Sequence, residues 1–498
     1  MTASPTLPQA DRPKAPKPLS FSHLTAIFFG LTLFFCLGNR SLPLIDRDEP
    51  RFAEASREML QSGNWIVPTF NKAPRYDKPP LIYWMQVACY KVFGDNEFAA
   101  RLPAALCTAL IAILLILWGG RLADRTTGLR AAVIFVLCVQ VFVHGRAAVA
   151  DPPMVLCVVA AAWLGWEWIR QPKNHLIAAG FWIVLALGFV AKGPIAWVPI
   201  GMALWLTRRY QRQGSTVPSL TVWILGFLGM LGLVCLWGIP ALAQTKGEFA
   251  AKGLGEHVVG RSLIAMEGHG SASILGYIAT LPLYFLTVFP SFFPWSVWLP
   301  SVIRFHKRRP SEEAAYLLCG TILTFGIFTV SRTKLPHYTL PAFPFLALLV
   351  AFWWRENKSS AQFRKVAWAT ATVFIFVPFL LFSPIRSLSL TEAMVDVLRP
   401  LLSSNTAVAL VDYQEPSLIW GLRGSIAGFP ETIQEAKIEA WLAQPGARFC
   451  ILSAQAAERV QGPWVRREVS GWNFAKGRRM KLVALASPEP APIPLPNP

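Results

Sequence analysis

Eleven apolar runs divide the first 384 residues of this chain, at about 21–38, 102–119, 131–145, 152–169, 176–191, 193–206, 219–243, 272–303, 314–330, 335–354 and 366–384. A run near 18 residues can cross the hydrocarbon of a bilayer as a helix, in which the segment satisfies its own backbone N–H and C=O groups. Such a chain folds as a polytopic helical bundle. Lys and Arg collect in alternate gaps: Arg121/Arg125/Arg130, Arg170/Lys173, Arg208/Arg209/Arg212, Arg304/Lys307/Arg308/Arg309 and Arg355/Lys358/Arg364/Lys365, in phase with Lys14 and Lys17. The positive-inside rule puts all of them on the cytoplasmic side. An odd number of crossings then turns three stretches outward: a loop over about 39–101, a second over about 244–271, and everything after residue 384. Hydrophobic types make up 54% of the 498 residues and charged types 15%, so the net charge of +19 is read as topology. No nucleic-acid-binding face is expected, because the cations fall in short clusters between apolar segments.

The domain plan follows. Residues 1–20 are rich in Pro, Lys and Ser, and residues 487–498 are one-half proline, so both read as disordered tails. The first run lacks a small-x-small cleavage site and reads as an uncleaved signal anchor. Residues 21–384 form the transmembrane domain and 385–486 a small exported module. In that module 407–411, 449–452 and 481–485 are β-like, while 431–442 has helical periodicity. The fold class expected is an all-α polytopic membrane protein of about 11 transmembrane helices with a small C-terminal α/β domain. Eight cysteines without C-x-x-C spacing imply neither a disulfide framework nor a zinc site.

Two of the runs, 176–191 and 193–206, are short for a crossing. Paired as a hairpin, they leave Ala191-Lys192-Gly193-Pro194 just below the outer membrane surface. A similar hairpin, 131–169, carries His144, Arg146 and Asp151 near its tip. Two recessed tips bearing ionisable groups beneath long outward loops predict a cavity at the outer face.

The first outward loop is dense in charge. Asp48 as N-cap and Pro50 in the first turn start a helix that Gly63 ends, with Phe52, Ala55 and Met59 on one apolar face. This spacing predicts an amphipathic helix on the membrane, with Asp48 and Arg51 together near its start. Tyr76-Asp77-Lys78-Pro79-Pro80 then precedes an apolar helix over 81–93. A carboxylate and an ammonium beside such a helix should be paired or serve a ligand. Asp151, in Val149-Ala-Asp-Pro-Pro153, can cap the helix after it, and Lys192 can either snorkel or hold an anion. His257, with a carboxylate such as Asp77, suits a two-residue divalent site, although a lone histidine is more often a loop residue. Arg332, Lys334, His337 and Tyr338 form a further outward cluster, equally consistent with interfacial anchoring. This inventory suits the removal of a sugar from an anionic lipid carrier: carboxylates can deprotonate an acceptor hydroxyl, and cations can neutralise a departing phosphate. The many crossings alone would equally permit a transporter or lipid flippase, but no paired halves appear.

The string over 46–106, DRDEPRFAEASREMLQSGNWIVPTFNKAPRYDKPPLIYWMQVACYKVFGDNEFAARLPAAL, closely resembles the first periplasmic loop of bacterial aminoarabinose transferases of lipid A. The likeness continues through Ala150-Asp-Pro-Pro-Met154, Ala191-Lys-Gly-Pro194, Glu256-His257, Phe293-Pro-Trp295 and Lys334-Leu-Pro-His-Tyr-Thr-Leu-Pro341, over roughly residues 20–355. These transferases sit with protein O-mannosyltransferases among the C-class membrane glycosyltransferases. The resemblance implies inverting transfer of a sugar from a polyprenyl-phosphate donor to a lipid, glycan or protein acceptor at the outer face of the cytoplasmic membrane. It further implies catalytic roles for Asp48, Asp151 and Arg51. Lys78, Lys192 and Tyr338 would hold the donor phosphate, and Asp77 with His257 a divalent metal cation, Asp77 standing where those enzymes carry Glu.

Overall fold

A computed structural model describes residues 19–260, 273–357 and 359–487. Ten helices come first: α1 (Phe21–Cys36), α2 (Asp48–Ser62), α3 (Leu81–Phe93), α4 (Glu97–Leu122), α5 (Arg125–Val136), α6 (Val139–His144), α7 (Asp151–Arg170), α8 (His175–Lys192), α9 (Val198–Arg212) and α10 (Leu220–Gln244). A small hairpin of β1 (Thr69–Phe70) and β2 (Ala73–Pro74) lies between α2 and α3. A π-helical stretch, Phe249–Gly260, the amphipathic helix Leu299–Arg308, and apolar helices over Ile274–Thr280, Leu283–Ser291, Glu312–Val330, Phe343–Asn357 and Ser360–Leu388 complete the bundle. Short polar side chains start these helices. Asp124 accepts from the Thr127 N–H at 2.8 Å, and Asn174, Ser219, Ser311 and Ser359 do the same for their own helices, each beside one of the basic clusters.

Among the described residues eight helices are long and apolar enough to cross a membrane: α4, α7, α8, α10 and those over 274–291, 312–330, 336–357 and 360–388. The other three expected crossings look different. The first is the 16-residue α1. The run over 131–145 is split where Cys138 adopts extended backbone between α5 and α6. The run over 193–206 begins with the 3-10 turn Pro194–Trp197 and continues as α9. Within 272–303, Pro282 and Pro294 stand between the successive short helices and Pro290 lies inside one, each removing a backbone donor. The 336–357 segment runs through the centre, with 83% of its most apolar window buried, whereas α10 and the 360–388 helix bury 17% and turn Leu, Ile and Phe outward as lipid-facing helices do. Gly119 and Gly128 let α4 and α5 touch: a Cβ on Gly128 would stand 2.2 Å from the Ile116 carbonyl oxygen.

The C-terminal domain is a five-stranded sheet in the order β4-β3-β5-β7-β6, formed by β3 (Ala407–Leu410), β4 (Glu431–Thr432), β5 (Arg448–Ser453), β6 (Val465–Asn473) and β7 (Arg478–Ala486). β3 pairs parallel with β4 and β5, while β7 runs antiparallel to β5 and β6. The period of two divides its core. Val408, Leu410, Ile451, Leu482 and Ala484 face the Leu390–Leu398 and Pro416–Leu422 helices, while Ala409, Cys450, Leu452, Val483 and Leu485 face the Ile438–Leu442 helix. The three β-like runs are strands. The helix expected over 431–442 forms only in its second half, because Glu431 and Thr432 pair with Ala409 and Leu410 and extend the sheet.

The first outward loop packs between the bundle and this domain. The membrane-lying helix expected at its start is corrected here: the apolar face of α2, Phe52, Ala55 and Met59, is buried against Ile82, Tyr83 and Val87 of α3. Two buried arginines fix its approach. Arg101 uses all five N–H donors, two on the carboxylate of Glu49 at 2.8 Å each and three on the carbonyls of Asn39, Leu42 and Pro43. Arg146 donates to the carbonyls of Phe34, Phe35 and Leu37 at the end of α1. Glu49 also accepts from the N–H groups of Ile45 and Ala148, which ties α2 to the start of α7.

Candidate active site

A cavity of about 550 Å³ opens where the 76–79 turn, the start of α7, the end of α8, α10 and the 336–342 turn meet. Tyr76, Asp77, Lys78, Asp151, Lys192 and Tyr338 form its polar wall; Phe189, Val234, Trp237, Ile327 and Phe328 form an apolar one. Polar side chains from four separate stretches of sequence therefore share one hollow.

Local sequence explains each placement. Pro152 and Pro153 occupy the first turn of α7, where a missing N–H costs nothing, and Asp151 stands at the start of that helix. Its expected capping role is corrected: no side-chain cap bond forms, and the buried Asp151 carboxylate instead accepts from Lys192 Nζ at 2.5 Å. Lys192 is the last residue of α8, where the negative end of the helix dipole favours a cation. Gly193 stops the helix there with φ +84° and ψ −161°, a conformation open essentially to glycine alone. The Lys192 ammonium also lies 5.8 Å from the centre of the Tyr338 ring, so the carboxylate, ammonium and phenol lie close together.

At the 76–79 turn Asp77 pairs with Arg75 at 3.1 Å, and Arg75 donates to the Tyr83 hydroxyl at 3.0 Å while lying 5.1 Å above the Phe52 ring. Burial pushes the Tyr83 phenol above its ordinary range, and Arg75 pulls against that rise. Lys78 Nζ donates to the Asp77 carbonyl at 3.1 Å. The outer loop closes over this wall: the Tyr76 hydroxyl donates to Glu248 at 2.9 Å, and its ring meets Phe249 edge-on at 5.6 Å.

Two expected residues lie elsewhere. Asp48 begins α2 without capping it, because Arg47 holds the cap position, and it is exposed outside the cavity lining. It acts electrostatically on Arg75 and Tyr83, one ion pair removed from the hollow. Arg51, half-buried one turn along, acts on Asp46. Of the expected metal pair, only the Asp77 side chain lies among the described residues. Asp77 is committed to Arg75, the His257 side chain lies outside the described residues, and among the described residues no group of three or more His, Cys, Asp or Glu could hold an ion. Lys334 is a helix stop: its ammonium donates to the carbonyls of Thr329 and Ser331 at 2.5 and 2.7 Å.

Sequence reasoning missed Arg75, Glu49 and Arg101 as organisers. Each sits beside a recognised signal, Arg75 one residue before Tyr76-Asp77-Lys78 and Glu49 inside Asp48-Glu-Pro-Arg51, but their partners are remote in sequence. His144 and His337, noted only as members of separate outward clusters, stack with ring centres 5.0 Å apart within electrostatic reach of Asp151.

Known proteins match this chain in sequence and fold. Residues 77–237 match the family described as dolichyl-phosphate-mannose-protein mannosyltransferase. An undecaprenyl phosphate-alpha-4-amino-4-deoxy-L-arabinose arabinosyl transferase of Enterobacter sp. (strain 638) is 28% identical over 444 residues, covering 85% of this chain and 74% of that protein. The corresponding transferase 2 of Sodalis glossinidius is 32% identical over 332 residues, covering 64% and 58%. Against several of these relatives the chain thus spans less than two thirds of their length. The crystal structure of ArnT from Cupriavidus metallidurans bound to undecaprenyl phosphate superposes with a TM-score of 0.72 at 16% identity, over 96% of this chain and all of that one. In sequence the chain is thus similar to aminoarabinose transferases over most of its length, and it shares the fold of the crystal structure of ArnT.

Proposed function

We propose that this protein transfers a sugar from a polyprenyl-phosphate donor to a lipid acceptor at the outer face of the cytoplasmic membrane. The observation that carries the reading is the single hollow in which Lys78, Lys192 and Tyr338 face an apolar wall open towards the lipid-facing α10. A prenyl phosphate has the same two-part chemistry, an anionic head on an apolar chain. The acceptor oxygen attacks the anomeric carbon, its bond forming as the bond from that carbon to the phosphate oxygen breaks, so configuration inverts. Charge builds on the departing polyprenyl phosphate, where two ammonium groups in a partly dry cavity stabilise it. Asp151 holds Lys192 in place through their ion pair. Asp48, exposed outside the hollow and coupled electrostatically to Arg75, takes the proton of an acceptor that enters from that side, and Arg51 on the same helix steers an anionic acceptor.

The sugar follows the likeness to the arabinosyl transferases, which extends over most of the chain: a pentose such as 4-amino-4-deoxy-L-arabinose on undecaprenyl phosphate. A transporter or flippase is not favoured, since the relatives are named as transferases. In membranes supplied with donor lipid, Lys78→Ala should lower transfer about 10²–10³-fold, as loss of one transition-state donor does. Asp48→Asn should lower it roughly 10²–10⁴-fold, as loss of a general base does. Near-normal turnover in both variants at wild-type expression would overturn the assignment.

A further inference from the structure

The hairpin of β6 and β7 stands at the point where the 360–388 membrane helix leaves the bundle. Ser389, the residue after that helix, bridges in parallel to Trp472 near the end of β6. Paired backbones lie about 5 Å apart, so the Trp472 end of the hairpin shares a level with the last turn of a lipid-facing helix. Leu388 in that turn is 53% exposed and Trp472 is 42% exposed. The opposite end of the hairpin, Val465 and Ala486, lies eight residues back along each strand, roughly 26 Å away at 3.3 Å per residue.

Register sorts the side chains around this end. Trp472 is directly opposite Arg479, and Ser470 opposite Lys481, so Trp472, Arg479 and Lys481 share one face. The other face packs on the 390–398 helix, where a Cβ on Gly471 would stand 2.6 Å from the Leu390 Cα. The connecting turn contains Lys476 and the left-handed Gly477, and its shape is held by the Lys476 N–H donating to Asn473 Oδ1 at 2.9 Å. Between residues 465 and 481 the chain carries six cations and one carboxylate, Glu468, which pairs with Lys481. Lys476, Arg478 and Arg479 are exposed and make no ion pair with described residues.

From this placement we infer that the β6–β7 turn is an anchor for acidic phospholipid headgroups: Trp472 enters the interface while Lys476, Arg478 and Arg479 meet the anionic surface. Tryptophan suits the headgroup level, and each cation near an acidic bilayer contributes about 1 kcal/mol, close to a fivefold preference. The anchor would hold the exported domain, and through it the first outward loop, at a fixed height above the lipid.

The full chain in nanodiscs tests this. Amide exchange over residues 474–479 should be at least roughly fivefold slower in discs containing phosphatidylglycerol than in pure phosphatidylcholine. The difference should vanish at high salt and in the K476E/R478E/R479E variant, while amides of β5 exchange unchanged and so report an intact fold. Brominated phospholipid should quench more fluorescence in the wild type than in Trp472→Phe. Equal exchange in the two lipids would overturn the inference. So would protection by inorganic phosphate in phosphatidylcholine discs, which marks a free-anion site, protection that rises with protein concentration, which marks self-association, or equal quenching in both proteins.

Discussion

Lys192 carries two burdens, its own charge in the hollow and the burial of Asp151, and the 2.5 Å ion pair couples them. Asp151→Asn and Lys192→Ala should therefore be non-additive by ~0.5–3 kcal/mol in a stability cycle, as contacting charged residues are. Purely additive effects would deny the coupling. The Glu49–Arg101 pair has a different role. Every donor and acceptor there is satisfied, and none faces the cavity, so Arg101→Ala should cost about 3–5 kcal/mol by leaving Glu49 buried alone. Thermal unfolding in detergent checks this, and a variant as stable as wild type would contradict it. Asp46 accepts from the N–H and hydroxyl of Ser417 at the seam with the exported domain. Burial pushes its carboxyl up to about 6, with the Ser417 hydrogen bonds working the other way. The folded state then binds the proton more tightly than the unfolded chain, so Asp46's contribution favours the fold at low pH and is lost as pH rises from about 4 through about 6. The melting temperature should fall more steeply over that interval in wild type than in Asp46→Asn; equal slopes would contradict the assignment.

The elements that position the site are those that stop abruptly. α8 ends at Gly193 with no atom within 4 Å of a would-be Cβ, so Gly193→Ala introduces backbone strain without a clash. The substitution should cost about 1–3 kcal/mol and lower transfer by shifting Lys192, with little change in expression. Unchanged kinetics would show that Lys192 does not depend on this stop. The β1–β2 hairpin shows the same economy without glycine: Asn71 and Lys72 both adopt positive φ, and the Glu58 carboxylate accepts from both of their N–H groups and from the Thr69 hydroxyl. Its Asn71 amide reaches the Pro430 carbonyl, so the hairpin also contributes to the seam with the exported domain.

At the scale of the molecule, the bundle, the outward loop and the exported sheet were legible because each has a period or a punctuation of its own. Apolar runs with capping Ser, Asn or Asp beside basic clusters mark the membrane helices, and short continuous apolar runs, buried on both faces of the sheet, mark β3, β5 and β7. β6 escaped notice because it is an exposed edge strand, Val465-Arg-Arg-Glu-Val-Ser-Gly-Trp-Asn473, with no apolar run to read. Asp151 and Lys192 were identifiable as ionisable groups at recessed hairpin tips, Lys78 and Tyr338 as members of two outward polar clusters, and the four do converge. The position of Asp48 outside the hollow was not legible, because it depends on α2 burying its apolar face on α3 instead of lipid. Partners such as Arg75–Asp77 and Glu49–Arg101 depend on contacts that no local spacing encodes.

The central claim is that this hollow grips the phosphate of a prenyl carrier, and binding tests it without any assumption about the sugar. Native mass spectrometry of the purified protein with undecaprenyl phosphate should show a one-to-one complex in the wild type, strongly depleted in Lys78→Ala and in Lys192→Ala but retained in Asp48→Asn. Equal occupancy of the lipid in all four proteins would contradict the account.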